Sequence, residues 1–175
     1  MKKTLAMLLC TLMLLCAGCA GGNNDPSSSG ELAGSSSEAL AQVLDGADYG
    51  ETPALGEEAL TAENCEGTLG LSAEDFEQYV TDGTLSYAQI SAVAHLSAML
   101  KCKDADSAVA VRDALAEKFN VHRWVCVIPE RVFAVNAGEY VFFTASFTDY
   151  ANALYESFTA LAGEGVGETV EVTVD

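Results

Sequence analysis

The chain has 175 residues, half of them hydrophobic, with 26 acidic side chains against eight basic ones and a formal net charge of −18. That length suits one domain plus accessories, and a domain of about 100–150 residues buries a core without needing disulfides. The charge argues against nucleic acid, whose phosphates need clustered Lys and Arg, and against direct docking on anionic lipid headgroups.

The first residues read as an address. Lys2 and Lys3 form a positive start, Leu5 to Leu15 is apolar apart from Thr11, and the small residues Ala17 and Gly18 follow. This is a secretory signal layout, too short for a spanning helix. Its end, Cys16-Ala-Gly-Cys19, resembles the small-residue box of bacterial lipoprotein signals, cut before a cysteine that carries diacylglycerol; here that is Cys19. A redox or metal C-x-x-C would need a strand before it and a helix after it, and a signal segment and a Gly/Ser run stand there instead. Cleavage removes two lysines and leaves six basic residues against 26 acidic ones, or −20. The organisation expected is therefore a signal peptide over 1–18, a lipidated Cys19 with a flexible Gly/Ser tether over 19–37, and a single domain over 38–175.

Within that domain, apolar residues at 40, 43 and 44 predict a helix from Glu38 to Leu44, capped by Ser37 and ended by Gly46. The stretch GADYGETPALGEE reads as loop. Thr61 is expected to cap a short helix over 62–66, stopped by Gly67. Ser72 opens SAEDFEQYV, a helix with acids in its first turn, burying Phe76, Tyr79 and Val80 and ending at TDGT. In HLSAMLKCK, Leu96, Ala98, Leu100 and Cys102 alternate with Ser97, Met99, Lys101 and Lys103, which predicts a strand. KDADS supplies a turn and cap for SAVAVRDALAEKF, whose Val111, Leu115 and Phe119 share one helical face. Two β-rich runs, RVFAV and YVFFTAS, flank NAGE and predict a hairpin with Gly138 in the left-handed conformation. Thr148 or Asp149 then caps a closing helix with a stripe of Ala151, Leu154, Phe158 and Leu161, stopped by Gly163. Val170, Val172 and Val174 alternate in the tail, as in an edge strand. The order is helices, then β-α-β-β-α(-β). This predicts an α+β fold, a small, mostly antiparallel sheet with helices over one face; the ferredoxin-like arrangement is one form of that order.

Three segments carry a resemblance. LSAMLKCKDADSAVAVRDAL, VFAVNAGEYVFFTASFTDYANALYESF and GLSAEDFEQYV are similar to the strand–helix unit, hairpin with closing helix, and acidic helix of domain-of-unknown-function family 4358, small bacterial lipoproteins. The resemblance covers roughly 60–162 and the N-terminus, and departs at NVHRWVCVIPE, where the family carries a longer charged helix. It implies a secreted, lipid-anchored protein of Firmicute type, with no assigned activity and no catalytic residues to carry over.

Few residues offer chemistry. Cys65, Cys102 and Cys126 survive processing; Cys102, on the apolar face of a strand, reads as a buried inert thiol, and a Cys102–Cys126 bond is the alternative. His122 and Cys126 form a candidate nucleophile pair, but four residues apart in an extended segment they sit about 13 Å apart at strand rise. An enzyme built on them, or on acidic residues, needs convergence with His95 or Glu130. Paired zinc spacing, a calcium loop with its closing Glu, a phosphate loop and hydrolase motifs are all missing, so no cofactor and no metal are expected. Trp124, Tyr140, Tyr150 and Tyr155 suit a partner surface, being apolar with a polar tip. The sum points to a non-catalytic binding or accessory module, tethered outside the cell through Cys19.

Overall fold

The computed structural model describes residues 32–50 and 52–174. Cys19, the signal segment and most of the tether lie outside them. The elements in chain order are α1 (Ser36–Gly46), β1 (Leu55–Ala59), α2 (Cys65–Leu69), α3 (Ala73–Tyr79), β2 (Val80–Ala88), β3 (Leu96–Cys102), α4 (Ala105–Lys118), β4 (Arg131–Ala137), β5 (Tyr140–Ser146), α5 (Thr148–Ala162) and β6 (Val166–Glu171). The fold is α+β. One six-stranded sheet runs β1-β2-β3-β5-β4-β6 with every neighbouring pair antiparallel.

Helices lie on both faces, not one. α2, α3 and α4 pack against Leu96, Ala98, Leu100, Val132, Val141 and Phe143. α1 and α5 pack against the alternate positions Met99, Phe133, Val135 and Phe142. Connection handedness explains this. β3 and β4 both oppose β5 and so run parallel, joined through α4; β5 and β6 both oppose β4 and are joined through α5. Both steps cross the sheet the same way, but β5 runs opposite to β3. Right-handed crossovers then place the two helices on opposite faces. The ferredoxin-like arrangement would return the last strand beside the first strand of the unit. Here β2 holds that place, and β6 lies at the far edge beside β4.

The second face looks solvent-exposed in the sequence because it carries Ser97, Thr144 and Ser146. Its hydroxyls are buried in pairs. Ser97 Oγ meets Thr144 Oγ1 at 2.9 Å, and Ser36 Oγ, at the start of α1, meets Thr84 Oγ1 at 2.7 Å. Buried polar groups are tolerated when paired. Asp82 Oδ2 also accepts from Ser36 N–H at 2.7 Å, which fastens α1 to β2.

Ser72 and Asp104 cap α3 and α4 as expected, and Gly138 takes φ 55° in a two-residue turn. Other termini differ. Ser35, not Ser37, caps α1 and shares a capping box with Glu38. Gly67 lies inside α2, which Gly70 ends at φ 79°. Neither Thr148 nor Asp149 caps α5; the Glu130 carboxylate accepts from Thr148 N–H at 2.9 Å across the chain. β1 and β2 fall in stretches that read as loop and helix end. TDGT is not a stop but a β-bulge: the register shifts between Val80 and Asp82, and the strand continues.

Candidate functional site

The sheet has two unlike ends. At one, the N-terminal segment arrives. Leu32 is buried, and the Gly34 carbonyl accepts from Tyr140 Oη at 2.8 Å and Lys101 Nζ at 3.0 Å. Lys101 also pairs with Glu139 at 3.1 Å. The domain's ordered contacts therefore begin before residue 38, within the Gly/Ser-rich stretch. The opposite end lies a strand length away, about 20 Å for seven residues, where residues 89–95 join β2 to β3 and residues 120–130 join α4 to β4.

That far end has its own chemistry. Residues 83–100 and 124–129 contain no Asp, Glu, Lys or Arg, in a chain where acids dominate. The large apolar side chains most open to solvent gather there: Val125 is 98% exposed, Ile90 56% and Ile128 48%. Beside them is a cleft of about 350 Å³, walled by Tyr87, Trp124, Arg123 and Glu58 with Leu85 and Leu96. Strand register assembles it. Glu58 faces Leu85, and Tyr87 faces Leu96, so all four share the sheet face that α4 covers further along. Trp124 packs edge-on to Phe119 at the end of α4, with ring centroids 6.4 Å apart.

Arg123 is the notable charge. Its guanidinium carbon sits 5.5 Å from the Trp124 ring, and Nη1 donates to the Thr68 carbonyl. Burial around the guanidinium lowers its pKa, with Glu58 opposing. Lys101, Arg112, Lys118 and Arg131 each hold a carboxylate within 4.0 Å, and Lys103 donates to the carbonyls ending α3. Among the described residues, Arg123 has no carboxylate partner, and it lines two further clefts next to the first.

The other candidates scatter. Tyr140 and Tyr150 are buried, 3% and 1% exposed, and so are not surface residues. Tyr140 clamps Gly34, while Tyr150 sits among Tyr49, Phe147 and His95, because α1 and the loop after it widen the buried arc of α5. Tyr155 is half-buried, edge-on to Phe133 beneath Arg131. Trp124 lines two clefts. Segment 120–130 is a series of turns rather than an extended run, so the strand-rise spacing of His122 and Cys126 does not apply. His95 is buried on Tyr150, Glu130 serves as the cap of α5, and none of the five clefts described is lined by two of His95, His122, Cys126 and Glu130. Among the described residues no group of three His, Cys, Asp or Glu could hold a metal ion.

All three described cysteines are free. Cys102, at the Lys101 end of β3, cannot reach Cys126 in the segment at the opposite end. Burial pushes the Cys102 thiol up to about 12 and raises that of Cys65. In a chain beginning at Ala20, a thiol-disulfide reagent is expected to titrate Cys126 at once and the other two only after denaturation. A second fast thiol would contradict this packing.

Sequence reasoning did not find Arg123 or Tyr87 as site residues. One signal existed, the long uncharged runs within an acidic chain. The sheet neighbour Glu58 had none, since β1 read as loop. No family model matches the chain, and neither does a curated protein or a solved structure.

Proposed function

We propose that the chain is an extracytoplasmic lipoprotein, held at the outer face of the cell membrane by acyl chains on Cys19, and a non-catalytic binding or accessory module of the envelope. The observation that carries this reading is the contrast between the two sheet ends. The N-terminal segment joins the domain at the Tyr140 end, and the exposed apolar side chains with Arg123 gather at the other. A tether running to the membrane from the first end leaves the second pointing outward. Exposed apolar patches of this kind mark interaction sites. The partner is then a protein met outside the cell, since a surface of −20 stands off anionic lipid. The resemblance of residues 60–162 to family 4358 belongs to the same proposal. Among the described residues no helix is long and apolar enough to cross a membrane.

Two measurements test it. Cys19→Ala is expected to move the protein from the membrane pellet to the soluble fraction. A photo-crosslinking residue at Val125 is expected to give discrete adducts in living cells, while one at Glu139 gives none. Retention of the Cys19→Ala chain in the pellet, equal adducts from both positions, or substrate turnover by the purified protein would each count against the reading.

A further inference from the structure

The cleft beside Trp124 has features that narrow its ligand, given the binding-module reading above. Its apolar side chains, Tyr87, Trp124, Leu85 and Leu96, stand beside the polar Glu58, Thr68, His95 and Arg123, so the bound group joins an apolar part to a polar end. Its volume of about 350 Å³ lies near the lower end of small-ligand sites. One charge of each sign borders it, Arg123 and Glu58. Among the described residues Arg123 has no carboxylate within 4.0 Å, and the Thr68 carbonyl and the Trp124 ring hold its guanidinium, which leaves its other N–H donors for a ligand. A guanidinium fork matches the two oxygens of a carboxylate. A phosphate is the poorer fit: dianions are gathered by clusters of arginines, and here a single arginine faces Glu58 across the cleft.

We infer that the cleft receives the C-terminal carboxylate of a peptide chain whose last side chain is apolar, with Arg123 holding the carboxylate and Trp124 and Tyr87 enclosing the side chain. The site suits a free chain end better than an acidic side chain, because only at a chain end does the carboxylate sit directly beside an apolar side chain.

Trp124 is the only tryptophan in the chain, so its fluorescence reports the cleft directly. The test titrates the mature protein with N-acetyl-leucine, N-acetyl-leucinamide and N-acetyl-isoglutamine, the last carrying its carboxylate on the side chain. The free acid is expected to bind at least ten-fold more tightly than the other two, as a charge-assisted bond requires. Arg123→Gln is expected to bring the acid-to-amide ratio close to one. Arg123 also ties down Thr68, so Glu58→Gln, at an exposed position, gives a second reading: it should tighten the acid several-fold and leave the amide unmoved. Equal binding of acid and amide, no response of Trp124 to either, a ratio that survives Arg123→Gln in a folded protein, or one indifferent to Glu58→Gln would overturn the inference. Phenyl phosphate binding more tightly than the acid would overturn it too. Any of these results with the Val125 crosslinks intact removes the carboxylate assignment alone; loss of the crosslinks removes the binding-module reading beneath it.

Discussion

Between pH 7.5 and pH 5 the unmodified domain is expected to lose about 2 kcal/mol of stability that a His95→Gln variant keeps. His95 is 1% exposed, its Nδ1 lies 3.0 Å from Ser146 Oγ, its Nε2 has no partner, and its ring rests on Tyr150 with centroids 4.9 Å apart. Desolvation brings its pKa from 6.5 down to about 4. Among the described residues the titratable group in contact with the ring is the Tyr150 phenol, whose pKa burial raises. The sign follows from proton counting. Below pH 6.5 the unfolded chain takes up a proton on this histidine that the folded one refuses. Stability therefore falls as pH drops from 6.5 towards 4, by about 3 kcal/mol in all, and the loss levels off once both states are protonated. Glu38, Asp75, Asp104 and Glu130 have lowered pKa values from their hydrogen bonds to Ser35, Ser72, Ser107 and Thr148 respectively. Their contributions are lost as pH falls from the ordinary carboxylate range through the lowered values, so the interval from pH 7.5 to 5 is the one that isolates His95. Urea unfolding of both proteins at four pH values checks this. Stability curves that run parallel between pH 7.5 and 5 would show that His95 titrates in the fold.

What the sequence made legible was the part whose pattern is set by burial. β3, β4, β5 and the helices between them occupy the centre, and their apolar runs announce them. β1 was hidden for a physical reason: an edge strand with a solvated face does not need such runs. β2, buried on both faces through residues 83–86, was hidden because the small polar residues Thr84 and Ser86 occupy its second face. Leu55-Gly56-Glu57-Glu58-Ala59 lacks any β-branched residue, and the Asp82-Gly83 pair that reads as a turn is absorbed by a bulge. The buried hydroxyls of Ser97 and Thr144 misled in the same way, since their pairing partner is a strand away and not visible in sequence. The cleft was hidden for a related reason. Arg123 and Trp124 are adjacent in sequence, but Glu58, Tyr87 and Thr68 reach them only through β1, β2 and the α2 corner, whose placement the sequence did not show. Arg112 repeats the lesson. It reads as the polar side of α4, yet it is buried, and its Nη1 donates to Asn136 at 2.9 Å.

The α2 corner supplies the other large effect. Gly70→Ala and Gly67→Ala lie three residues apart and are expected to move stability in opposite directions. Gly70 has φ 79°, and a Cβ there would meet the Lys118 carbonyl oxygen at 2.4 Å and its carbon at 2.8 Å. Both are backbone atoms at the end of α4, so no side chain can swing aside. A left-handed alanine and an overpacked contact each cost about 1–3 kcal/mol, and roughly 3 kcal/mol or more is the expected sum. Gly67 is helical and open, with nothing within 4 Å of a Cβ; alanine there should stabilise by up to about 1 kcal/mol. The consequence extends to the cleft. Relieving the clash pushes α2 away from Lys118, and α2 carries the Thr68 carbonyl that holds Arg123. Thermal melts of the two variants read the stability change, and Trp124 emission in the still-folded Gly70→Ala protein reads the displacement. A Gly70→Ala chain as stable as its parent would mean that α2 and α4 do not meet at Lys118. If it is destabilised while its Trp124 emission stays unchanged, Arg123 would be placed by Trp124 alone, and the corner would be needed for folding but not for shaping the cleft.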